Sequence, residues 1–290
     1  MRLIFDGQTH GIDANTLINV LIHYQTVVTE ANRQYGGGSR EVSIQVNALK
    51  AGSFIMDISV VQNVVQQLFS KDSVAYVAGL VGIVDGVYRL YKHFKGRPVK
   101  TEAEVRSAEE SVSLDVEGSA RISITNITNV YNMPLVREAI SKSVETADGD
   151  TNVEGFDISK GEGEPSVGFT RAEFKDYIYN DFETEEALPE ERVTERDAVL
   201  TIVGLNFERG SRWQFMYEGF KIGMTVKDDA LMRRIDEGER FGKGDAIKVR
   251  LRIVQRYNKD YKAYENKTFK ITEFYEHIEN RQGSLFGEEE

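Results

Sequence analysis

The stretch Val74–Tyr91, VAYVAGLVGIVDGVYRLY, constrains this chain more than any other feature, because eighteen residues pass with only Asp85 and Arg89 charged. Their four-residue spacing makes those two neighbours on a helix surface. Ala78, Gly82 and Gly86 also recur every fourth residue, so a helix here carries small residues along one side. A seam of that kind lets two helix backbones approach closely, as in associating membrane helices. Tyr76, Tyr88 and Tyr91 stand near the ends, where amphipathic rings favour a membrane–water boundary, and Lys92, Lys95, Arg97 and Lys100 follow on one side only. The length lies at the lower limit for crossing a bilayer. Two readings remain open: a segment that inserts into or lines a membrane, and a buried core or subunit-interface helix in which Asp85 pairs with Arg89. In water each helical glycine costs about 1 kcal/mol relative to alanine, so either reading needs close helix–helix packing to hold this segment.

The rest of the chain is polar. With 290 residues, 40% hydrophobic and 29% charged, it has the makeup of a globular protein of two or three modest domains. A net charge of −11 disfavours nonspecific binding of nucleic-acid backbones by the surface as a whole, while leaving room for local patches. The absence of cysteine excludes disulfides, thiolate nucleophiles and cysteine–zinc sites. The opening MRLIFDGQTHG lacks the basic-then-apolar layout of a secretion signal, so a cytoplasmic location is expected, with inner-membrane association under the first reading of the apolar helix.

The pattern along the chain predicts an α+β fold in three parts. Residues 1–100 read as an α+β unit: a strand over Arg2–Phe5, a helix N-capped by Asp13 and ended by Gly36, two strands over Glu41–Asn47 and Ser53–Val60, and an apolar helical hairpin formed by Val61–Phe69 and the glycine-seamed helix. Residues 101–197 read as a central acidic α+β segment and linker. Strand-like alternation is expected at Val112–Val116 and Ile122–Ile127, a helix from Pro134, a short amphipathic helix over Phe169–Phe182, and a linker or exposed helix from Glu183 to Arg196. Residues 198–290 read as five closely spaced strands with one helix over Asp228–Asp236, which suits a small antiparallel barrel-like domain; a sandwich has similar spacing.

Catalysis finds little support. His10, His23, His93 and His277 fall in separate segments without metal-binding spacing, and no nucleophile elbow, phosphate-binding loop or zinc-protease signature occurs. No catalytic residue, metal ligand or cofactor is assigned. The second signal is local charge: residues 233–270 hold twelve basic against six acidic side chains. In Lys248-Val249-Arg250-Leu251-Arg252-Ile253 the cations take one side of a strand and the aliphatics the other. Arg256 and Tyr257 continue the pattern. Cations interleaved with aromatics on a small barrel suit a nucleotide or single-stranded nucleic acid, so Lys248, Arg250, Arg252, Arg256 and Tyr257 are the candidate ligand residues. The alternative is a solvated outer face whose long side chains pair with the acidic linker.

The segment Lys50-Ala51-Gly52-Ser53-Phe54, with Asp57 and an apolar stretch ending in Lys95-Gly96-Arg97-Pro98, resembles a family of uncharacterised bacterial proteins associated with mobile elements and defence islands. The later pattern Phe207, Trp213, Gly219, Gly244-Asp245 resembles that family too. An apolar helix together with a basic–aromatic patch is also similar to the membrane effector of Hailong-type anti-phage systems, whose channel is held shut by a DNA oligomer made by a partner nucleotidyltransferase. These resemblances imply a non-enzymatic homo-oligomer that is membrane-active and gated by a nucleotide or oligonucleotide. In that reading Ala78, Gly82, Asp85, Gly86 and Arg89 form the membrane or oligomer helix, and the partners are a second copy, membrane lipid, the DNA oligomer or nucleotide, and the nucleotidyltransferase. The alternative is a soluble homo-oligomeric scaffold or adaptor of such a system.

Overall fold

A computed structural model describes residues 1–7, 11–36, 42–50, 54–62, 71–111, 124–163, 166–180, 189–206, 211–217, 220–260 and 263–280. The fold is α+β, with two compact units. One is built from residues up to 191 together with 256–265; the other is built from 192–255 and from 266 onward.

The first unit is a five-stranded antiparallel sheet under a layer of helices. Its strands are β1 (Arg2–Asp6), β2 (Val42–Lys50), β3 (Phe54–Gln62), β4 (Gly155–Ser159) and β5 (Ser166–Thr170), in the order β2-β3-β1-β4-β5. The register lines up Phe54, Phe5, Phe156 and Phe169 in one row, with successive ring centroids 6.4, 5.2 and 6.3 Å apart. Met56, Leu3, Ile158 and Val167 form the next core-facing row. Cross-strand rows of this kind are the unit of sheet stabilisation. They draw on both the first hundred residues and the central segment, so the sheet crosses the boundary expected at residue 100.

The helices on this sheet are α1 (Ala14–Gly36), α2 (Lys71–Phe94), α3 (Glu102–Ser111), α4 (Ile124–Tyr131), α5 (Pro134–Gly149) and the single turn α6 (Phe174–Tyr177). Asp13 starts α1 as expected, accepting from the Asn15 N–H at 2.8 Å. Pro134 opens α5, where its missing N–H is harmless. The far end of α5 is tied down by Arg171, whose guanidinium donates to the carbonyls of Asp148, Asp150 and Val153.

Several local expectations are corrected. Ile124 and Ile127 are helical, not extended: Ile127, Thr128, Val130 and Tyr131 form one buried face of α4. The acidic run after Glu102 is the helix α3. Phe169 is a strand residue of β5, and the amphipathic helix expected there shrinks to α6, because Thr170 donates to Glu173 and folds the chain into a turn. Val61 and Gln62 finish β3, so they are not part of a helical hairpin, while 63–70 lie outside the described residues. The alternation at Val112–Val116 also lies outside them. The expected linker is partly strand, since the next strand begins at Glu191.

The second unit is a closed five-stranded barrel. Its strands are β6 (Glu191–Gly204), β7 (Arg212–Tyr217), β8 (Phe220–Val226), β9 (Ala246–Asn258) and β10 (Ala263–Ile278), ordered β10-β8-β7-β6-β9. The helix α7 (Asp229–Asp236) lies between β8 and β9, its N-terminus capped by Asp228, which accepts from the Ala230 N–H at 2.6 Å. β6 pairs with β7 and β7 with β8 in antiparallel fashion, whereas β8 meets β10 in parallel. A small Greek-key barrel of five strands is the architecture of OB-folds. Inward positions alternate cleanly: Leu200, Ile202, Trp213, Phe215, Met224, Ile247, Val249, Leu251, Ile253 and Ile271 fill the interior at 1% exposure or less.

Candidate functional site

The cationic stripe expected on β9 is present, and its arginines have carboxylates opposite them. Lys248, Arg250, Arg252 and Arg256 share the outer side of the strand. Arg250 donates to Asp197 of β6 at 3.2 Å, Arg252 lies 3.9 Å from Glu195, and Arg256 lies 2.8 Å from Glu191. The hydrogen bond to Asp197 raises the pKa of the Arg250 guanidinium still further, as the bond to Glu191 does for Arg256. Tyr275 of β10 joins this group with its single O–H placed 3.1 Å from both Asp197 and Glu273, and burial followed by those two carboxylates pushes its phenol up to about 12. Tyr257 falls with the first unit, where its hydroxyl donates to the carboxylate of the buried Glu138 on α5 at 3.1 Å. Lys248 remains exposed. The five residues therefore share a strand, but three of the cations face acidic partners and Tyr257 is engaged in packing.

A second outer face is arranged differently. On β7 and β8 the register sets Met216 beside Lys221, Gln214 beside Gly223 and Arg212 beside Thr225. The parallel pairing continues the last row to Lys270 of β10, and Thr201 of β6 extends the first. Neither β7 nor β8 contains an acidic residue, in a chain of net charge −11. Among the described residues, Arg212 and Lys221 have no ion-pair partner. Met216 is 41% exposed on this face, while Phe220, 70% exposed at the start of β8, is registered with Tyr217 and takes the opposite side of the strand from Lys221. Gly223 keeps the middle of the face flat, since a Cβ there would come within 3.1 Å of Gln214 Nε2. Across three strands and along β8 the cations are spread over roughly 10–13 Å. Sequence reasoning missed this face because no run of charge marks it. The available signal was negative: two adjacent strands with cations and no carboxylate.

The small-residue seam of α2 divides in two. Ala78 is exposed, Gly82 is partly covered, and Gly86 is buried against Ile127 of α4, where a Cβ would come within 2.7 Å of that side chain. Gly79 makes a similar close contact with Tyr35 of α1. Asp85 is 2% exposed and paired with Arg89 at 2.8 Å, with Lys160 at 3.6 Å. Leu80, Ile83, Val84, Val87, Tyr88, Leu90 and Tyr91 are all fully buried within the unit's own core. The span Val74–Phe94 is long and apolar enough to cross a membrane, with mean hydropathy 1.3, and 61% of its most apolar window is buried.

Among the described residues, His23, His93 and His277 lie on separate elements, as their spacing suggested; His10 lies outside the described residues. His277, on β10, packs its ring on Phe241 at 4.2 Å and sets Nδ1 3.1 Å from Glu239 and Nε2 3.0 Å from Asp245. Burial raises the Asp245 carboxyl, but the N–H groups of Asn280 and Gly242 together with His277 outweigh that and lower it. This cluster ties the end of β10 to the connection before β9. A pocket of about 440 Å³ beside it is lined by Arg234, Glu239, Tyr275, Glu276, His277 and Glu279, a mainly acidic wall. Among the described residues, no three His, Asp or Glu side chains are placed to hold a metal ion.

Comparison with protein-family models, with curated proteins and with solved structures finds no match to this chain.

Proposed function

We propose that this chain is a non-enzymatic binding protein of a bacterial defence or mobile-element system. It senses a nucleotide or oligonucleotide ligand on the outer face of β7 and β8, and acts as a homo-oligomer. The observation that carries the reading is the acid-free cationic face of β7–β8 on a small Greek-key barrel, with the exposed ring of Phe220 at its edge, at the start of β8. Spread cations suit successive phosphates, and an exposed ring suits a base. The ligand residues in this reading are Arg212, Lys221, Lys270 and Phe220, in place of the ion-paired arginines of β9. The supplier of an oligonucleotide is a partner nucleotidyltransferase. The test is anisotropy of a labelled twelve-nucleotide single strand titrated with the full chain. Binding that weakens in the Arg212→Ala/Lys221→Ala double variant supports the proposal; equal binding by that variant, or none by the wild type, removes it.

A second reading, a membrane-active effector, is favoured by one observation, the length and hydropathy of Val74–Phe94. Its difficulty is energetic. Seven large side chains of α2 are fully buried, each contributing about 1.5–3 kcal/mol, and together they match the whole stability of an ordinary domain, about 5–15 kcal/mol. Insertion therefore requires the first unit to open. Dye release from liposomes, with and without an oligonucleotide, tests it; intact vesicles under every condition leave the soluble scaffold.

A further inference from the structure

His23 lies midway along α1, is 6% exposed, and has a buried Nδ1 with no hydrogen-bond partner among the described residues. The charged groups facing it are Lys142 and Glu145, both on α5 and paired with each other. Burial is the main cause that lowers the ring's pKa to about 4, with Lys142 adding and Glu145 opposing. A neutral imidazole fits this seam; an imidazolium there is a buried charge beside an ammonium, without an acceptor of its own. The same helix also holds the N-terminal half of α2. Tyr76 donates to Asn32 at 2.6 Å and stacks on Tyr35 at 5.1 Å, while a Cβ on Gly36 would collide with the Tyr76 hydroxyl.

We propose that the α1–α5 seam is an acid-operated latch, in which protonation of His23 separates α1 from α5 and uncovers the apolar helix α2. The unfolded chain binds the proton near pH 6.5 and the folded chain only near 4. The stabilisation is therefore complete above about pH 6.5 and is lost as pH falls toward 4.

The test is hydrogen exchange on the full chain at pH 7 and pH 4.5, corrected for the intrinsic exchange rate. The opening equilibrium of α1 and α2 amides rises about fifty-fold in the wild type, and less than five-fold in His23→Gln and His23→Leu, two neutral replacements that guard against a packing artefact in either one. Strands β6–β10 keep their protection in all three proteins. Equal acid sensitivity of wild type and both variants overturns the latch, as does loss of protection in barrel and helices together. Vesicles added at pH 4.5 separate the consequences: opening without dye release supports the latch and sinks the membrane reading.

Discussion

The helix α2 and the outer face of β7–β8 are opposite solutions to the same problem. Each carries chemistry out of character with the rest of the chain, one being apolar and the other cationic in an acidic protein. In α2 nearly every unusual group is met from within the fold: Gly86 by Ile127, Gly79 by Tyr35, Asp85 by Arg89 and Lys160. On β7–β8 the cations face outward with no carboxylate on either strand, and the ring of Phe220 stands exposed at the start of β8. A group already satisfied contributes stability; a group left open is available to a ligand. Substitutions in α2 are therefore expected to change folding, and those on β7–β8 to change binding with folding intact.

The largest expected effect is at Gly86. Gly86→Leu forces a side chain into Ile127 and costs about 3 kcal/mol or more, read as a fall in the urea midpoint. Ala78→Leu, about two turns earlier in the same seam but exposed, changes stability by less than about 0.5 kcal/mol. Similar losses at both positions erase the division of the seam. The pH dependence is next. Between pH 6.5 and about 4 the wild type loses about 3 kcal/mol relative to His23→Gln, measured as the difference between their urea midpoints across that range.

A smaller effect is expected at His277. His277→Gln removes one contact from Glu239 or Asp245, which keep Arg234 and the Gly242 and Asn280 N–H groups respectively, and lowers barrel stability by about 1 kcal/mol, followed by fluorescence of the buried Trp213. Phe220→Ala leaves thermal stability near that of the wild type and weakens single-strand binding by about 1–3 kcal/mol if the ring stacks on a base. The smallest effect belongs to the exposed pair Arg256 and Glu191, where Arg256→Ala leaves the urea midpoint where the wild type has it. A large loss there means that the β9 stripe contributes more than surface pairing.

Much of the barrel was legible in the sequence, because alternation within each strand and the Asp228 cap are local. The N-terminal strands and the first helix were legible for the same reason. The strands β4 and β5 were not, since each is five residues long, and β4, on which β5 pairs, gains its place by pairing with β1 across some 150 residues of chain. The α4 helix hid behind isoleucines that fit two periods, and only its buried neighbours decide between them. The candidate site was half legible. Lys248, Arg250 and Arg252 alternate visibly in one strand, whereas the carboxylates opposite the arginines come from β6, more than fifty residues earlier. The β7–β8 face needs two strands in register before its lack of acid becomes a property of a surface.

The most direct test of this contrast is the salt dependence of single-strand binding by four proteins: wild type, Arg212→Ala, Lys221→Ala and Arg252→Ala. With three backbone contacts, from Arg212, Lys221 and Lys270, the wild-type slope of log affinity against log salt is about −2, and each of the first two variants reduces its magnitude by about 0.7. Arg252→Ala, whose charge faces Glu195, leaves it unchanged. A slope that responds to Arg252 and not to Arg212 or Lys221 contradicts the account and returns the ligand to β9.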